Sequence, residues 1–531
     1  MASAACLNVQ RDVYIELSLR KALRKIKMEK KQYSYAERFG LWLRGLYLEN
    51  RVPFLAALLT GLAAHMFMFT NKLVNHDEIE ALFYKGATVT SGRWGLELSK
   101  LLLPNWSMPW IYGLLTLLLI SVSVCIMLRV LGIRSKLSQI LLAAAVVSFP
   151  SLTGTYCFMF TSAAYGIAFI LAVLCVWLYE RGGQRNAALA ALSLVLCLSI
   201  YQAYIAITAS LFVLLMIKSC LEAEKSVWQI VLYGVKALAM MAAALAVYFA
   251  VTLLVFRFTG AEFNSYVIDN VNDKASLLGK VRMAYENFRD VFTFRNYSLI
   301  SSECARLAHV LLLGELLAGL MLAARGSRPL NWALLTVLVL LLPLSINCMY
   351  LLMSPQSIHT LVLYSFVCLY FLVALILEKL EPWSGPFMKD IAALLMCVII
   401  ASNVYFANMT YLKMHLQYEN ANAFYVSLIA QIKEKEGFDE NSRVAIIGQQ
   451  DNLLYSFPEL GTDGLLGPSQ DLVNIYSREN FFRRYLGFDV PFASQEELDA
   501  LSKTAEFEQM AEYPYYGSVR KIGDYIVVKL G

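Results

Sequence analysis

The strongest constraint on this chain is a recurring one: apolar runs, most close to 20 residues long, separated by polar stretches. They fall at 52–70, 110–131, 137–155, 158–179, 187–200, 204–219, 227–256, 307–324, 332–349, 360–377 and 391–409. About 20 helical residues cross the hydrocarbon of a bilayer. Lipid offers the backbone no hydrogen-bond partner, so each run must close its own bonds as a helix. The sequence therefore predicts an α-helical polytopic membrane protein with about eleven spans. Of the 531 residues, 58% are hydrophobic and 16% charged. Soluble domains carry about 25% charged residues, so an ordinary soluble enzyme is excluded. Residues 187–219 read as one long tilted helix or as two short ones broken at Tyr201-Gln202-Ala203. The two-helix reading keeps the loop charges alternating.

Charge gives an orientation. With the N-terminus inside, the short inner loops carry Arg129, Arg134 and Lys136; Arg181 and Arg185; Lys218 and Lys225; Arg325 and Arg328; and Lys379 and Lys389. Basic loops stay on the cytoplasmic side. An odd number of spans then puts the C-terminal region outside. Three segments follow: a basic cytoplasmic N-terminal segment (1–51, 11 basic against 5 acidic residues), a transmembrane domain (52–409), and an acidic extracytoplasmic α/β domain (410–531, 11 basic against 18 acidic). The head suits a positive-inside anchor on anionic lipid. No nucleic-acid-binding signature accompanies its charge. The first apolar run starts near Val52, too late for a cleavable signal peptide. Ten cysteines without a CxxC pair imply neither a disulfide framework nor a zinc site. No metal site or required cofactor is expected; a role for a divalent cation is left open.

Two outer loops are long, 71–109 and 259–306, and long loops usually carry function. The first reads as two short amphipathic helices, one presenting Ile79, Leu82 and Phe83, the other Trp94, Leu98, Leu101 and Leu102. Pro104 and Pro109 end it, with Trp106 and Trp110 at the lipid boundary. The tail reads as a polar helix (418–435), a strand (443–447), a Gly-punctuated loop, a helix (496–503) and a C-terminal hairpin (517–530). It either binds the acceptor, docks on the first outer loop, or caps the bundle.

The leading candidates for chemistry are Asn75-His76-Asp77-Glu78, just after the first span. A carboxylate there can take a proton from a hydroxyl; the alternative is acidic residues complementing a helix N-terminus. Lys85, Arg93 and Trp94 share the loop. An arginine fork suits phosphate, or snorkels to headgroups. Glu315 is an intramembrane carboxylate, functional by default or paired with His309 or Arg306. Tyr201 and Gln202 sit at the outer helix break, and His359 opens a span from the outside.

Taken in order, Asn75-His76-Asp77-Glu78, Ser91-Gly92-Arg93-Trp94, Met108-Pro109-Trp110 with Gly113-Leu114, Ser148-Phe149-Pro150-Ser151, Tyr156 with Met159-Phe160-Thr161, and Ile200-Tyr201-Gln202-Ala203-Tyr204 resemble the type-II Gtr glucosyltransferase family, bacterial polytopic transferases of the GT-C class. The likeness is good over 48–221 and weaker beyond. It implies a GT-C-like bundle in the inner membrane. It also implies a polyprenyl-phosphate sugar donor, typically undecaprenyl-phosphate glucose, and transfer to a surface polymer such as O-antigen or a teichoic-acid-like glycan. It maps the catalytic acidic residue to Asp77, with Glu78 beside it as the alternative. Substrate contacts are expected from His76, Lys85, Arg93, Trp94, Tyr201, Gln202, Glu315 and His359. Ser162-Ala163-Ala164 depart from the pattern, where an acidic residue is expected. The rival class is a transporter or lipid-linked sugar flippase, which would show broken helices in matching halves; no such pairing is visible in the sequence.

Overall fold

The computed structural model describes residues 34–81, 88–103, 107–264, 276–292, 302–324, 329–353, 359–384, 387–450 and 472–531. Its helices, in chain order, are α1 (Tyr35–Thr70), α2 (His76–Ala81), α3 (Trp94–Ser99), α4 (Pro109–Leu131), α5 (Lys136–Ser148), α6 (Pro150–Tyr156), α7 (Met159–Glu180), α8 (Gln184–Ile200), α9 (Ile205–Glu222), α10 (Val227–Thr259), α11 (Leu277–Phe292), α12 (Glu303–Ala324), α13 (Pro329–Ile346), α14 (Cys368–Ser384) and α15 (Phe387–Lys433). The tail adds β1 (Arg443–Ile447), α16 (Arg478–Asn480), α17 (Gln495–Leu501), α18 (Ala505–Glu508), β2 (Val519–Ile522) and β3 (Tyr525–Lys529). Among the described residues nine helices are long and apolar enough to cross a membrane, ten if the bent pair α5–α6 is one span. The 17-residue α8 is a shorter apolar helix. The protein is thus a polytopic helical membrane protein with a small sheet at its C-terminus.

Local chemistry sets the helix ends. Ser34 and Glu37 form a reciprocal capping box at the start of α1, and Ser226 with Gln229 does the same for α10. Pro109 opens α4 at a position where its missing N–H costs nothing. Pro150 breaks the third run: Phe149 is extended (ψ 140), and α6 leaves α5 at 41°. Tyr201 is extended (φ −150, ψ 103) and separates α8 from a 3-10 turn (Gln202–Tyr204) leading into α9. Residues 187–219 are therefore two helices. A third irregular stretch, the 3-10 segment Thr360–Val367, begins the span that continues as α14.

These breaks meet in the packed interior. Ser151 Oγ donates to Thr360 O (2.6 Å) and Tyr364 Oη donates to Val146 O (2.9 Å). Irregular backbone at membrane depth survives only where protein or a polar cavity covers it. Buried His65 binds the same region together, with Nδ1 2.7 Å from Tyr411 Oη and Nε2 2.8 Å from Val147 O. The second long loop contains α11, whose Ala284, Asn287, Val291 and Phe292 are buried. Asn287 donates to Asn347 Oδ1 (3.0 Å).

The last span does not stop at the tail. α15 runs for 47 residues, and the expected boundary at 409/410 falls inside it. The tail sheet has order β1-β3-β2, with β1 parallel to β3 and β2–β3 an antiparallel hairpin. Its core includes Phe424, Tyr425, Val444, Phe481, Phe482 and Val528, and also Val74 and Ile79 from the first loop. The tail is docked on that loop through apolar contact.

Candidate active site

The first loop leaves α1 at Asn71 and turns directly into α2. Asn75 is buried and caps that helix: its Oδ1 accepts from Glu78 N–H (2.8 Å) and its Nδ2 donates to Cys157 O. The cap fixes three consecutive side chains in three environments. His76 is 8% exposed, its Nε2 lies 3.4 Å from Asp77 Oδ1, and its ring meets Tyr476 of the tail (centroids 6.1 Å apart). Burial holds His76 below the ordinary histidine range, with the Asp77 charge opposing. The Asp77 side chain is 39% exposed. The Glu78 side chain is fully buried and pairs with Lys72 through Oε1, while its Oε2 has no hydrogen-bond partner. Burial and then the Glu78 charge raise the Tyr485 phenol of the tail. Of the two carboxylates, only Asp77 reaches solvent.

A second cluster forms around Arg93. Residues 88–92 make a tight turn closed by Gly92 N–H to Val89 O (2.8 Å) and Arg93 N–H to Thr88 O (2.8 Å). Gly92 has φ +72, and a Cβ there would lie 2.6 Å from Tyr248 Oη. Both the backbone and the space demand glycine. Arg93 then donates from Nε to Gln202 Oε1 (3.4 Å) and from Nη1 to Tyr165 Oη (3.2 Å). Its guanidinium lies 5.4 Å from the centre of the Tyr201 ring, which stacks on Tyr165 at 4.2 Å. Gln202 Nε2 donates to Ser91 O (3.1 Å) and to Tyr248 Oη (2.9 Å). Trp94 Nε1 donates to Thr252 Oγ1 (3.2 Å). Gly95 lets α3 lie directly on the end of α8, since a Cβ there would come within 2.9 Å of the Ser199 backbone. His359 stands close enough to Arg93 to feel its charge. Burial first, and then the Arg93 charge, push it down to about 4, so it is neutral at pH 7.

The structure thus gathers the expected residues into two groups: His76, Asp77 and Glu78 in one, Arg93, Trp94, Tyr201, Gln202 and His359 in the other. Both attach to the beginning of α7, the first at Cys157 and the second at Tyr165. Cys157 lies two residues before α7 and Tyr165 in its second turn. Lys85, Leu82, Phe83, Pro104 and Trp106 lie outside the described residues. The expected face is divided: α3 ends at Ser99, Leu98 is exposed on it, Leu101 and Leu102 are exposed in the turn beyond it, and Trp94 packs against the core. Glu315 stands elsewhere. It sits on α12, which packs against α11, α14 and α15, and none of these carries another expected site residue. Its carboxylate oxygens are buried without a hydrogen-bond partner, while His309 pairs with Tyr370 and Arg306 with Glu303. Among the described residues, no three His, Cys, Asp or Glu side chains gather closely enough to hold a metal ion.

Tyr165, Tyr248, Thr252, Lys72 and Tyr485 take part in these clusters without having stood out in the sequence. A tyrosine within an apolar run reads like any lipid-facing aromatic, so Tyr165 and Tyr248 carry no local signal. Lys72 sits six residues before Glu78 across a turn, which no helical spacing rule pairs.

The family model described as Glucosyl transferase GtrII matches residues 66–370, which takes in both clusters except for Tyr476 and Tyr485 of the tail. No curated protein and no solved structure matches the chain.

Proposed function

Because the chain belongs to the GtrII glucosyl transferase family, and so is a membrane glucosyltransferase, we propose that it moves glucose from polyprenyl phosphate to a cell-surface polysaccharide, with inversion, as an enzyme of the GT-C class. In this reading it sits in the bacterial inner membrane with its N-terminus cytoplasmic. The clusters and the tail (410–531) then lie on the extracytoplasmic side, where the acceptor polymer is found.

Asp77 is the general base. It takes the proton of an acceptor hydroxyl, and that oxygen attacks the anomeric carbon from the face opposite the phosphate. The bond from the anomeric carbon to the phosphate oxygen breaks, and polyprenyl phosphate leaves with the electron pair. Arg93 stabilises the charge that develops on it, with neutral His359 as a hydrogen-bonding partner. The proton passes from Asp77 to solvent. Neutral His76 orients Asp77. Glu78 and Lys72 hold the frame of α2, and the Glu78 carboxylate, fully buried, does not reach an acceptor. Trp94, Tyr201 and Gln202 shape the donor side.

The observation that carries this reading is the placement of one solvent-reaching carboxylate and one arginine lying against an aromatic ring at the same end of α7. The three broken spans are also what a transporter or lipid-linked sugar flippase would use. Glycan analysis of a deletion strain against its parent separates the two. Loss of one glucose branch with polymer length unchanged supports the transferase. Unchanged glycans with altered uptake or lipid turnover support the transporter.

A further inference from the structure

We infer that α10 is a clamp that sets the position of Arg93, with Tyr248 and Thr252 as its two positioning residues. The inference rests on the reading of Arg93 as the group that meets the donor phosphate. α10 is mostly a lipid-facing helix: Val235, Leu238, Val247, Leu253 and Phe258 are exposed. Its buried stripe is Ile230, Ala237, Met241, Ala244, Tyr248 and Thr252. The only polar side chains of that stripe are the last two, one turn apart, at 3% and 0% exposure.

Both grip the residues that flank Arg93. Tyr248 Oη donates to Gly92 O (3.0 Å) and accepts from Gln202 Nε2 (2.9 Å). Thr252 Oγ1 accepts from Trp94 Nε1 (3.2 Å) and donates to Tyr248 O one turn back (2.8 Å). Gln202 carries the chain on, since its Oε1 accepts from Arg93 Nε (3.4 Å). A continuous path of hydrogen bonds therefore runs from α10 to the guanidinium. The left-handed Gly92 brings the loop close enough for the Tyr248 bond to form. Neither hydroxyl belongs to the reacting set. Each fixes where the arginine stands, and a displacement of about 1 Å at such a group costs up to about a hundredfold in rate.

The test uses the full-length protein in lipid nanodiscs, with undecaprenyl-phosphate glucose as donor and the isolated surface polysaccharide as acceptor. Tyr248→Phe and Thr252→Val each remove one hydroxyl and keep the shape. Tyr248→Phe is expected to raise the donor KM about tenfold and Thr252→Val about threefold with the acceptor KM unchanged, while the buried partners each leaves unpaired lower the unfolding midpoint whether or not the residue is a clamp. In an Arg93→Lys background, Tyr248→Phe is expected to add less than twofold, because the clamp acts through the arginine. An active protein whose donor KM is the same in both variants overturns the clamp. So does a parallel rise of donor and acceptor KM, which marks a general packing role. A wild type that transfers no glucose from this donor removes the parent reading, and the clamp falls with it.

Discussion

The two clusters are built in opposite ways. The carboxylate cluster is mostly local: Asn75 to Glu78 are consecutive and Lys72 stands six residues before Glu78, with the Cys157 carbonyl and the tail's Tyr476 as the partners brought from elsewhere. The arginine cluster is assembled from Arg93, Tyr165, Tyr201, Gln202, Tyr248 and His359, spread over more than 260 positions. A local frame holds one exposed group in place and leaves it open to solvent. A distributed frame lets several helices act on one side chain, so its position responds to changes far from it in sequence. Damage should therefore be all-or-none in the first cluster and graded in the second.

The largest expected effect is at Asp77. On the proposed mechanism Asp77→Asn removes the base without changing volume, and transfer should fall by about a thousandfold at normal protein abundance. Radiolabelled transfer by purified protein checks it. Arg93→Lys keeps the charge but loses the fork and the contact with Tyr201; a loss of about a hundredfold is expected, read as donor kcat/KM. Gly92→Ala forces a side chain into a left-handed turn 2.6 Å from Tyr248 Oη. The strain is about 1–2 kcal/mol, and a roughly tenfold loss in donor kcat/KM should follow without loss of folding.

The next contrast lies inside the first cluster. Glu78→Gln leaves Lys72 unpaired against a buried amide and should lower stability by about 1–3 kcal/mol. That is less than a fully buried pair would lose, because Lys72 is 37% exposed. Asp77→Asn should leave the unfolding midpoint where it was. If both variants destabilise equally, the division of labour between the two carboxylates is wrong. The smallest effect is at His359. Its folded value, about 4, lies below the ordinary 6.5, so the unfolded chain binds the proton more readily between those values. Stability therefore falls as pH drops from about 6.5 towards 4. Thermal unfolding of His359→Gln across that window should show a shallower decline than wild type; an identical slope would exclude the buried neutral imidazole.

Much of the fold was legible because apolar runs and breakers act locally. The break at Tyr201, the strand 443–447 and the C-terminal hairpin stand where the sequence reads them. Other features needed tertiary information. The run 137–155 reads as one span although Pro150 stands within it, and the structure bends there by 41°. The run 360–377 reads as a regular helix, but its first eight residues are 3-10, with a kink at Leu363. The polar helix 418–435 is a continuation of the last span, because nothing between Met409 and Tyr418 breaks a helix. α11 shows helical periodicity at Ala284, Asn287 and Val291, a pattern that the length of the loop 259–306 alone does not reveal.

The same division holds for the site. The contiguous motif 75–78 pointed to its own cluster, and Ser91 to Trp94 pointed to the arginine. What escaped the sequence was assembly: which tyrosines face Arg93, that Glu78 pairs with Lys72, and that Val74 and Ile79 belong to the core of the tail. Side chains that meet across helices leave no spacing rule to read. Glu315 shows the converse, since its placement within a span marks it, while its surroundings set it apart from both clusters.

The most direct test of the central claim is transfer by the purified protein in liposomes from undecaprenyl-phosphate [14C]glucose to isolated surface polysaccharide, comparing wild type with Asp77→Asn. The account predicts label in the polymer for wild type and about a thousandfold less for the variant, with equal folding of both. Full transfer by a well-folded Asp77→Asn protein would contradict it.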